Sequence, residues 1–400
     1  MSGTATITVN PVQVSNVQPM VVDSGPAPQS FLTVNEGFVT VTVCVPNTST
    51  CQNIDHVLVD TGSSGLRLLS SAGGGELNLA LPNEPDSSGN PLYECLVFLD
   101  GFVWGNVATA DITFTVAGEK ASSAPVQVVI PSSSSPAVPS SCSSQTTGAN
   151  EGNSLMALGA QGIIGVGLFQ KDCGIGCTSA NQPPPPRFYY DCSSPPCSPI
   201  FATLAQQVTN PVFLFATDNN GVLIQLPAVP DGGSAPPVNG SLIFGIGTQS
   251  NNGLGSATVY TVPDSGKNAG DITTTFNGNS YPASFIDSGS NGIFFLDTKT
   301  TGIPLCAKPD DSWYCPVTSP DNLSATNQGT NGNNGTVNFS IEDATTLFSN
   351  NGGNNTAFST LGGPNTGSFD WGLGFFYGRN MFTAIENLNA GGTVGPYYAY

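Results

Sequence analysis

Positive charge is scarce in this chain: its 400 residues include 8 Lys+Arg against 27 Asp+Glu, a net charge of −19. No basic patch can form from so few cations, which argues against nucleic acid or an anionic membrane as a partner. Few carboxylates can be ion-paired either, so falling pH should relieve self-repulsion rather than break salt bridges, and acid tolerance follows. Histidine occurs once, at His56. A Ser-His-Asp triad would have to use it, four residues before Asp60 on a predicted strand, where it is better placed to pack or face solvent. No apolar run is long enough to span a membrane, and the N-terminus lacks a signal-peptide core. The chain therefore reads as a mature form with its leader removed. Charged residues make up only 9%, and helical periodicity is rare.

Turn formers, by contrast, are abundant, with 48 Gly and 32 Pro. Short β-branched runs bounded by Gly, Ser, Asn and Pro recur throughout, predicting a mostly β protein. The length exceeds what one compact core holds, so two lobes are expected, and 38% hydrophobic residues suffice to bury a core. The 10 cysteines fall largely into close pairs: Cys44/Cys51, Cys173/Cys177, Cys192/Cys197 and Cys306/Cys315. Cys95 and Cys142 then pair with each other, or the middle cluster pairs crosswise. Disulfides are favoured over zinc, because a single histidine and interrupting prolines suit a metal site poorly. Disulfides in turn imply an oxidising compartment: secreted, periplasmic or on the cell-envelope exterior.

Along the chain, residues 1–36 form a loosely patterned leading segment. Phe38–Val43 alternates as a strand, and a Cys44–Cys51 loop turns it toward His56–Val59. Leu96–Phe98 and Asp111–Val116 are read as hairpin arms with Asp100-Gly101 in the turn. Gly162–Gly167 is apolar and punctuated by glycine, and Pro183–Pro186 is a stiff excursion. Ser198-Pro199 is read as the cap of a short helix over Ile200–Val208. The lobe boundary falls near Thr217–Asn220, giving lobes of 1–217 and 218–400. Strand patterning restarts at Gly240–Gly245, and residues 320–366 read as long exposed loops around short strands.

One pattern occurs twice. Asp60-Thr61-Gly62-Ser63-Ser64-Gly65-Leu66 follows Val57-Leu58-Val59, and Asp287-Ser288-Gly289-Ser290-Asn291-Gly292-Ile293 follows Phe285-Ile286, 227 residues later (287 − 60). Each copy is an apolar strand ending in an acid, a small hydroxyl residue, a glycine and a second hydroxyl. A single copy is an ordinary turn in which Asp accepts backbone N–H bonds. Two copies suggest matching lobes that each deliver one carboxylate to a shared site.

These residues resemble the pepsin-like aspartic peptidases. Ile163-Ile164-Gly165 and Gly372-Leu373-Gly374 are similar to the apolar-glycine segments that cross beneath that family's catalytic loops. Trp371–Glu386 is similar, without gaps, to its closing segment. The likeness spans roughly Phe38 to Glu386 and extends to an uncharacterised family of exported bacterial proteins that share this core. The resemblance implies a bilobal double β-barrel with a few short helices. It also implies a peptide or protein substrate, cut by water activated between Asp60 and Asp287. Thr61 and Ser288 would lock the two loops together, Ser63 and Ser290 would bond the outer carboxylate oxygens, and Gly62 and Gly289 would let the chain turn behind each acid. Neither metal nor organic cofactor is required, and a monomer is the default.

Two positions depart from that family. Phe98 falls where the flap tyrosine is expected, and Arg67 replaces an aromatic residue after the first motif. Tyr93 or Trp104 is a candidate to cover the cleft instead, and Phe98 could equally be a core residue of the hairpin. The departures leave a non-catalytic binding protein on the same fold as the main alternative. An adhesin or a two-carboxylate glycosidase ranks below it.

Overall fold

The computed structural model describes residues 15–26, 33–145, 150–180 and 183–400. Much of the leading segment, residues 1–14 and 27–32, lies outside the described residues. The protein is mostly β, and its α-helices are single short turns such as Leu155–Leu158 and Ala344–Ser349. Among the described residues, no helix is long and apolar enough to cross a membrane.

Two sheets carry the architecture. Among the described residues the larger has 16 strands and the smaller seven. In the larger sheet Gly37–Cys44 pairs antiparallel with Cys51–Asp60, and the Cys44–Cys51 disulfide closes the turn between them. Cys51–Asp60 then runs parallel to Gly162–Val166, which pairs antiparallel with Ser64–Leu69. The smaller sheet repeats this crossing. Asn279–Ile286 runs parallel to Asn365–Trp371, which pairs antiparallel with Ile293–Leu296. Strands flanked in this way are covered on both faces, which is why Val57-Leu58-Val59 and Ile163-Ile164 read as continuous apolar runs rather than alternations. Both acids, Asp60 and Asp287, sit where such a central strand ends.

The leading segment supplies a strand that the sequence pattern did not reveal. Val17–Val22 pairs antiparallel with Val238–Phe244, so the larger sheet continues past residue 217 through Gly221–Gln225 and Asn380–Ala384. Asn35 pins the same segment to the far half of the chain. Its buried amide donates to the Asn291 carbonyl at 3.0 Å and the Phe358 carbonyl at 2.8 Å. Its oxygen accepts from the Phe358 N–H at 2.7 Å and the Tyr377 hydroxyl at 3.0 Å. Asn35→Ala leaves these buried groups unpaired and is expected to cost about 3 kcal/mol, read by urea unfolding. A cost near zero would mean that the segment is not held in this way.

Three local expectations are corrected. Ser198–Ile200 is a strand pairing with Tyr189–Asp191, not the start of a helix, and the Cys192–Cys197 disulfide closes that hairpin. The following residues satisfy their backbone groups through side chains: Gln207 donates to the Gly174 and Ala202 carbonyls, and the Val208 N–H donates to the Tyr189 hydroxyl. The flap-like hairpin joins Leu92–Val97 to the first part of Gly101–Phe114, with Val97 opposite Phe102, so its four-residue turn is Phe98-Leu99-Asp100-Gly101; Asp100-Gly101 lies in it as expected, but the far arm is not Asp111–Val116. The second part of that long strand pairs with Glu119–Val129. Residues 320–366 include a full hairpin, Asp321–Gln328 with Asn334–Ile341.

All ten cysteines are paired, and each close pair read from spacing is a bridge: Cys44–Cys51, Cys173–Cys177, Cys192–Cys197 and Cys306–Cys315. Cys95 bonds Cys142, so the middle cluster does not pair crosswise. The Cys306–Cys315 bridge closes a loop that the backbone also ties. The Cys306 N–H donates to the Trp313 carbonyl at 2.9 Å, and the Cys315 N–H donates to the Pro304 carbonyl at 2.8 Å.

Candidate active site

The two acid loops meet face to face and hold each other by mirrored hydrogen bonds. The Thr61 N–H donates to the Ser288 hydroxyl at 3.1 Å, and the Ser288 N–H donates to the Thr61 hydroxyl at 2.9 Å. Each hydroxyl passes its own hydrogen to the backbone of the opposite strand: Ser288 Oγ to the Val59 carbonyl at 2.7 Å, and Thr61 Oγ1 to the Ile286 carbonyl at 3.4 Å. Every donor and acceptor in this buried grip is therefore used, which fixes the relative position of the two loops.

The acids themselves are also bridged. The Gly62 N–H lies 2.7 Å from Asp60 Oδ1 and 3.0 Å from Asp287 Oδ1, and the Gly289 N–H donates to Asp287 Oδ1 at 2.7 Å. Ser63 Oγ donates to Asp60 Oδ2, and Ser290 Oγ lies 3.1 Å from Asp287 Oδ2. The glycines are needed for a reason other than a turn. A Cβ on Gly62 would stand 2.6 Å from Asp287 Cγ, and one on Gly289 would stand 2.9 Å from Asp60 Cγ. Each glycine admits the opposite carboxyl.

Beneath each loop lies the crossing segment. Asp60 is opposite Gly165, and the parallel register that puts Ile286 opposite Trp371 carries Asp287 to Gly372. A Cβ on Gly372 would meet the Ser290 carbonyl oxygen at 2.5 Å, just as one on Gly165 would meet Ser63 at 2.6 Å. The second crossing segment is thus Asp370-Trp371-Gly372, two residues before the expected Gly372-Leu373-Gly374. This shift brings in an acid that the motif reading missed. Asp370, 3% exposed, takes the place that Ile163 holds in the first half, and its Oδ2 lies 2.6 Å from Ser290 Oγ.

The carboxyls open into a cleft of about 1020 Å³. Phe98, Leu99 and Asp100 line it from the hairpin tip, and Leu99 is 77% exposed there. Phe98 also packs into apolar clusters with Phe38 and Leu96, so it is both cleft wall and hairpin core. Other walls bring further carboxyls, Glu36 and Asp271, and one cation, Lys171. Burial raises the Asp287 pKa well above the carboxylate range, and the neighbouring charges of Asp60 and then Asp370 add to this. Burial, joined by the charges of Asp60 and Asp100, pushes Asp370 up to about 8 against the pull of the Ser290 hydrogen bond. Burial alone takes Glu36 to about 8 and Asp271 to about 6.

Other candidates lie away from the cleft. Trp104 is fully buried beside the Cys95–Cys142 bridge, its ring stacked on Tyr93 and edge-on to Tyr190, with its N–H on the Pro136 carbonyl. Neither Trp104 nor Tyr93 covers the site. Arg67, 1% exposed, points inward, bonding Glu94 at 2.7 Å, Asp172 at 3.0 Å and the Ser64 carbonyl at 2.9 Å. One cation facing two buried carboxyls leaves an excess negative charge. Burial and then Glu94 raise the Asp172 pKa, and the Tyr189 hydroxyl donates to it at 2.7 Å. Arg67 therefore braces the strand behind the first acid loop. His56 pairs with Asp23 and Asp55, outside the cleft. The ten cysteines form bridges and do not line the cleft. Cys315 and its partner Cys306 pack instead in an apolar cluster with Leu347, Phe358 and Trp313.

Two β-barrel-like sheets, each ending a central strand in an acid at one shared cleft, define a pepsin-like fold. The solved structure described as "Crystal structure of aspartic proteinase from Irpex lacteus" is similar over 96% of this chain and 96% of its own, with a TM-score of 0.55 at 16% identity. At that identity the likeness concerns the fold. The sequence matches the family described as "Protein of unknown function (DUF3443)" over residues 12–400, and the chain belongs to that family. No curated protein sequence matches it.

Proposed function

We propose that this protein is an aspartic endopeptidase, acting outside the cytoplasm, with Asp60 and Asp287 as its catalytic pair. The observation that carries this reading is the single Gly62 N–H within hydrogen-bond reach of both inner carboxylate oxygens, 2.7 and 3.0 Å away. Two carboxyls this close cannot both ionise cheaply, so they hold one proton between them over a wide pH range. Asp287, raised by burial and by its partner, is the member that keeps it. A water seated between the outer oxygens would lose a proton to the ionised carboxylate as it attacks a peptide carbonyl. The protonated carboxyl would then stabilise the developing oxyanion.

Each lobe, 1–217 and 218–400, contributes one acid and its supporting hydroxyls. The two inner carboxylate oxygens share one backbone donor, the Gly62 N–H, at 2.7 and 3.0 Å, whereas glycoside hydrolysis relies on two carboxyls set about 5 Å or more apart. Five disulfides fit an exported protein. One observation favours a second reading, a binding protein on this fold: the hairpin tip over the acids carries Phe98 and Leu99 and no hydroxyl.

A diverse peptide library incubated with the purified protein from about pH 3 to pH 7 separates the two. Cleavage at defined bonds, read by mass spectrometry, is the expected result. Retention of intact peptides without cleavage at any pH would favour the binder.

A further inference from the structure

Ser290 stands between two carboxyls with one hydrogen to give. Its Oγ lies 3.1 Å from Asp287 Oδ2 and 2.6 Å from Asp370 Oδ2. Both contacts can be hydrogen bonds only if one carboxyl is protonated and donates to the serine oxygen. In the first half the matching hydroxyl, Ser63, meets only Asp60 among the described residues, because the equivalent of Asp370 is the apolar Ile163. The asymmetry is therefore built into one residue. Burying an acid there is costly unless it is bonded or neutral. Ser290 is the side chain that bonds it, while Asp370 Oδ1 is buried without a partner among the described residues.

We infer that Asp370 is a positioning residue for the acid pair. It donates its proton to Ser290, turns the serine hydroxyl toward Asp287, and extends the pair into a three-carboxyl cluster whose mutual repulsion sets the upper pH limit of activity. The inference rests on the peptidase reading for its kinetic consequence only; the cluster's titration exists with or without catalysis. Asp287 and Asp60 face Asp370 from the ends of the two central strands, and Asp100 faces it from the hairpin tip. Tyr398, itself raised by burial, lies behind Asp287 and Asp370, and Asp271 acts on the same tyrosine. The facing position on Ile293–Leu296 is Phe294, without charge. The cleft's cation, Lys171, hydrogen-bonds Thr209 at 2.7 Å. As pH rises, an Asp370 carboxylate opposes loss of the pair's last proton, so removing that charge must lower the pH at which the proton leaves.

The test compares wild type with Asp370→Asn, whose amide N–H can still donate to Ser290 but which cannot ionise, and Asp370→Leu, which resembles the first half. For each, the pH profile of kcat/KM is measured, along with the ¹³C NMR titration of the aspartate carboxyls without substrate. Asp370→Asn should lower the upper apparent pKa by about one unit in both readouts and leave the acid limit in place. Asp370→Leu should also lose about tenfold in kcat/KM at the optimum, the worth of one hydrogen bond, and Asp370→Asn should restore most of it. A merely structural role would lower stability without moving the upper limit, so an unchanged limit in Asp370→Asn overturns the inference. If wild type cleaves nothing, the peptidase reading fails and the NMR titration still decides: identical titrations in wild type and Asp370→Asn overturn the inference, and a downward shift sustains it.

Discussion

Asp60→Asn and Asp287→Asn are each expected to lower kcat/KM for peptide cleavage by about 10³-fold or more while leaving the fold intact. The size follows from the roles: one carboxyl takes the water's proton and the other stabilises the oxyanion, and an amide performs neither proton transfer. The fold should survive because asparagine keeps one oxygen for the Gly62 and Gly289 N–H groups, while its amide N–H can donate to the Ser63 or Ser290 oxygen in place of the second carboxylate oxygen. Each substitution also removes a buried acid whose ionisation its partner opposes, so the melting temperature at neutral pH should hold or rise. Circular dichroism and melting curves run beside the kinetics distinguish lost chemistry from lost structure. Full activity in either variant would remove that aspartate from the mechanism.

The second large effect concerns stability against pH. Several buried acids have pKa values raised above their ordinary values. Burial takes Asp370 and Glu36 to about 8, and burial followed by the Asp218 charge takes Glu119 to about 7. Such groups hold protons in the folded chain that the unfolded chain has already released, so between about pH 4 and pH 8 unfolding releases protons. Their stabilisation is fully present below the ordinary carboxylate pKa and is lost as pH rises through the folded values. His56, raised chiefly by its bond to Asp23, contributes in the same direction. Asp111 runs the other way. The Ser123 N–H and Lys120 outweigh its burial and lower its pKa, so its contribution is lost at low pH. The buried set is larger, and the unfolding free energy should fall by a few kcal/mol from pH 5 to pH 8. Urea unfolding across that range measures it. A maximum near pH 8 would contradict the assignment of Glu36 and Asp370 as buried neutral acids. Glu36 is the sharper probe, since its Oε2 is sealed from solvent without a partner among the described residues, while the residue keeps some exposure.

Much of this was legible in the sequence because the informative features are local. The strand-acid-hydroxyl-glycine pattern appears twice as a contiguous string, and its strands read as apolar runs because they are covered on both faces. Disulfide partners four to nine residues apart in sequence stood out as close pairs, while spacing left Cys95–Cys142 and a crosswise middle cluster both open, and the first is what forms. What stayed hidden depends on register or on distant partners. Asp370 enters the site because the parallel pairing seats Gly372, and not Gly374, beneath the second loop. Two triplets ending in glycine, Asp370-Trp371-Gly372 and Gly372-Leu373-Gly374, overlap at Gly372, and spacing alone does not choose between them. Arg67 looked like a cleft residue because Glu94 and Asp172, 27 and 105 residues away, turn it inward. The helix over Ile200–Val208 failed for a similar reason. Its cap and proline are ordinary helix signals, but the Tyr189 hydroxyl and a disulfide hairpin compete for the same backbone.

The central claim is that Asp60 and Asp287 act as one proton-sharing pair on peptide bonds. The pH profile of kcat/KM, on a peptide the wild type cuts, tests it most directly. The expected profile is a bell with two apparent pKa values belonging to the pair, and Asp60→Asn and Asp287→Asn should both lie at background across it. A folded wild type with no cleavage at any pH, or a bell that persists in either asparagine variant, would contradict it.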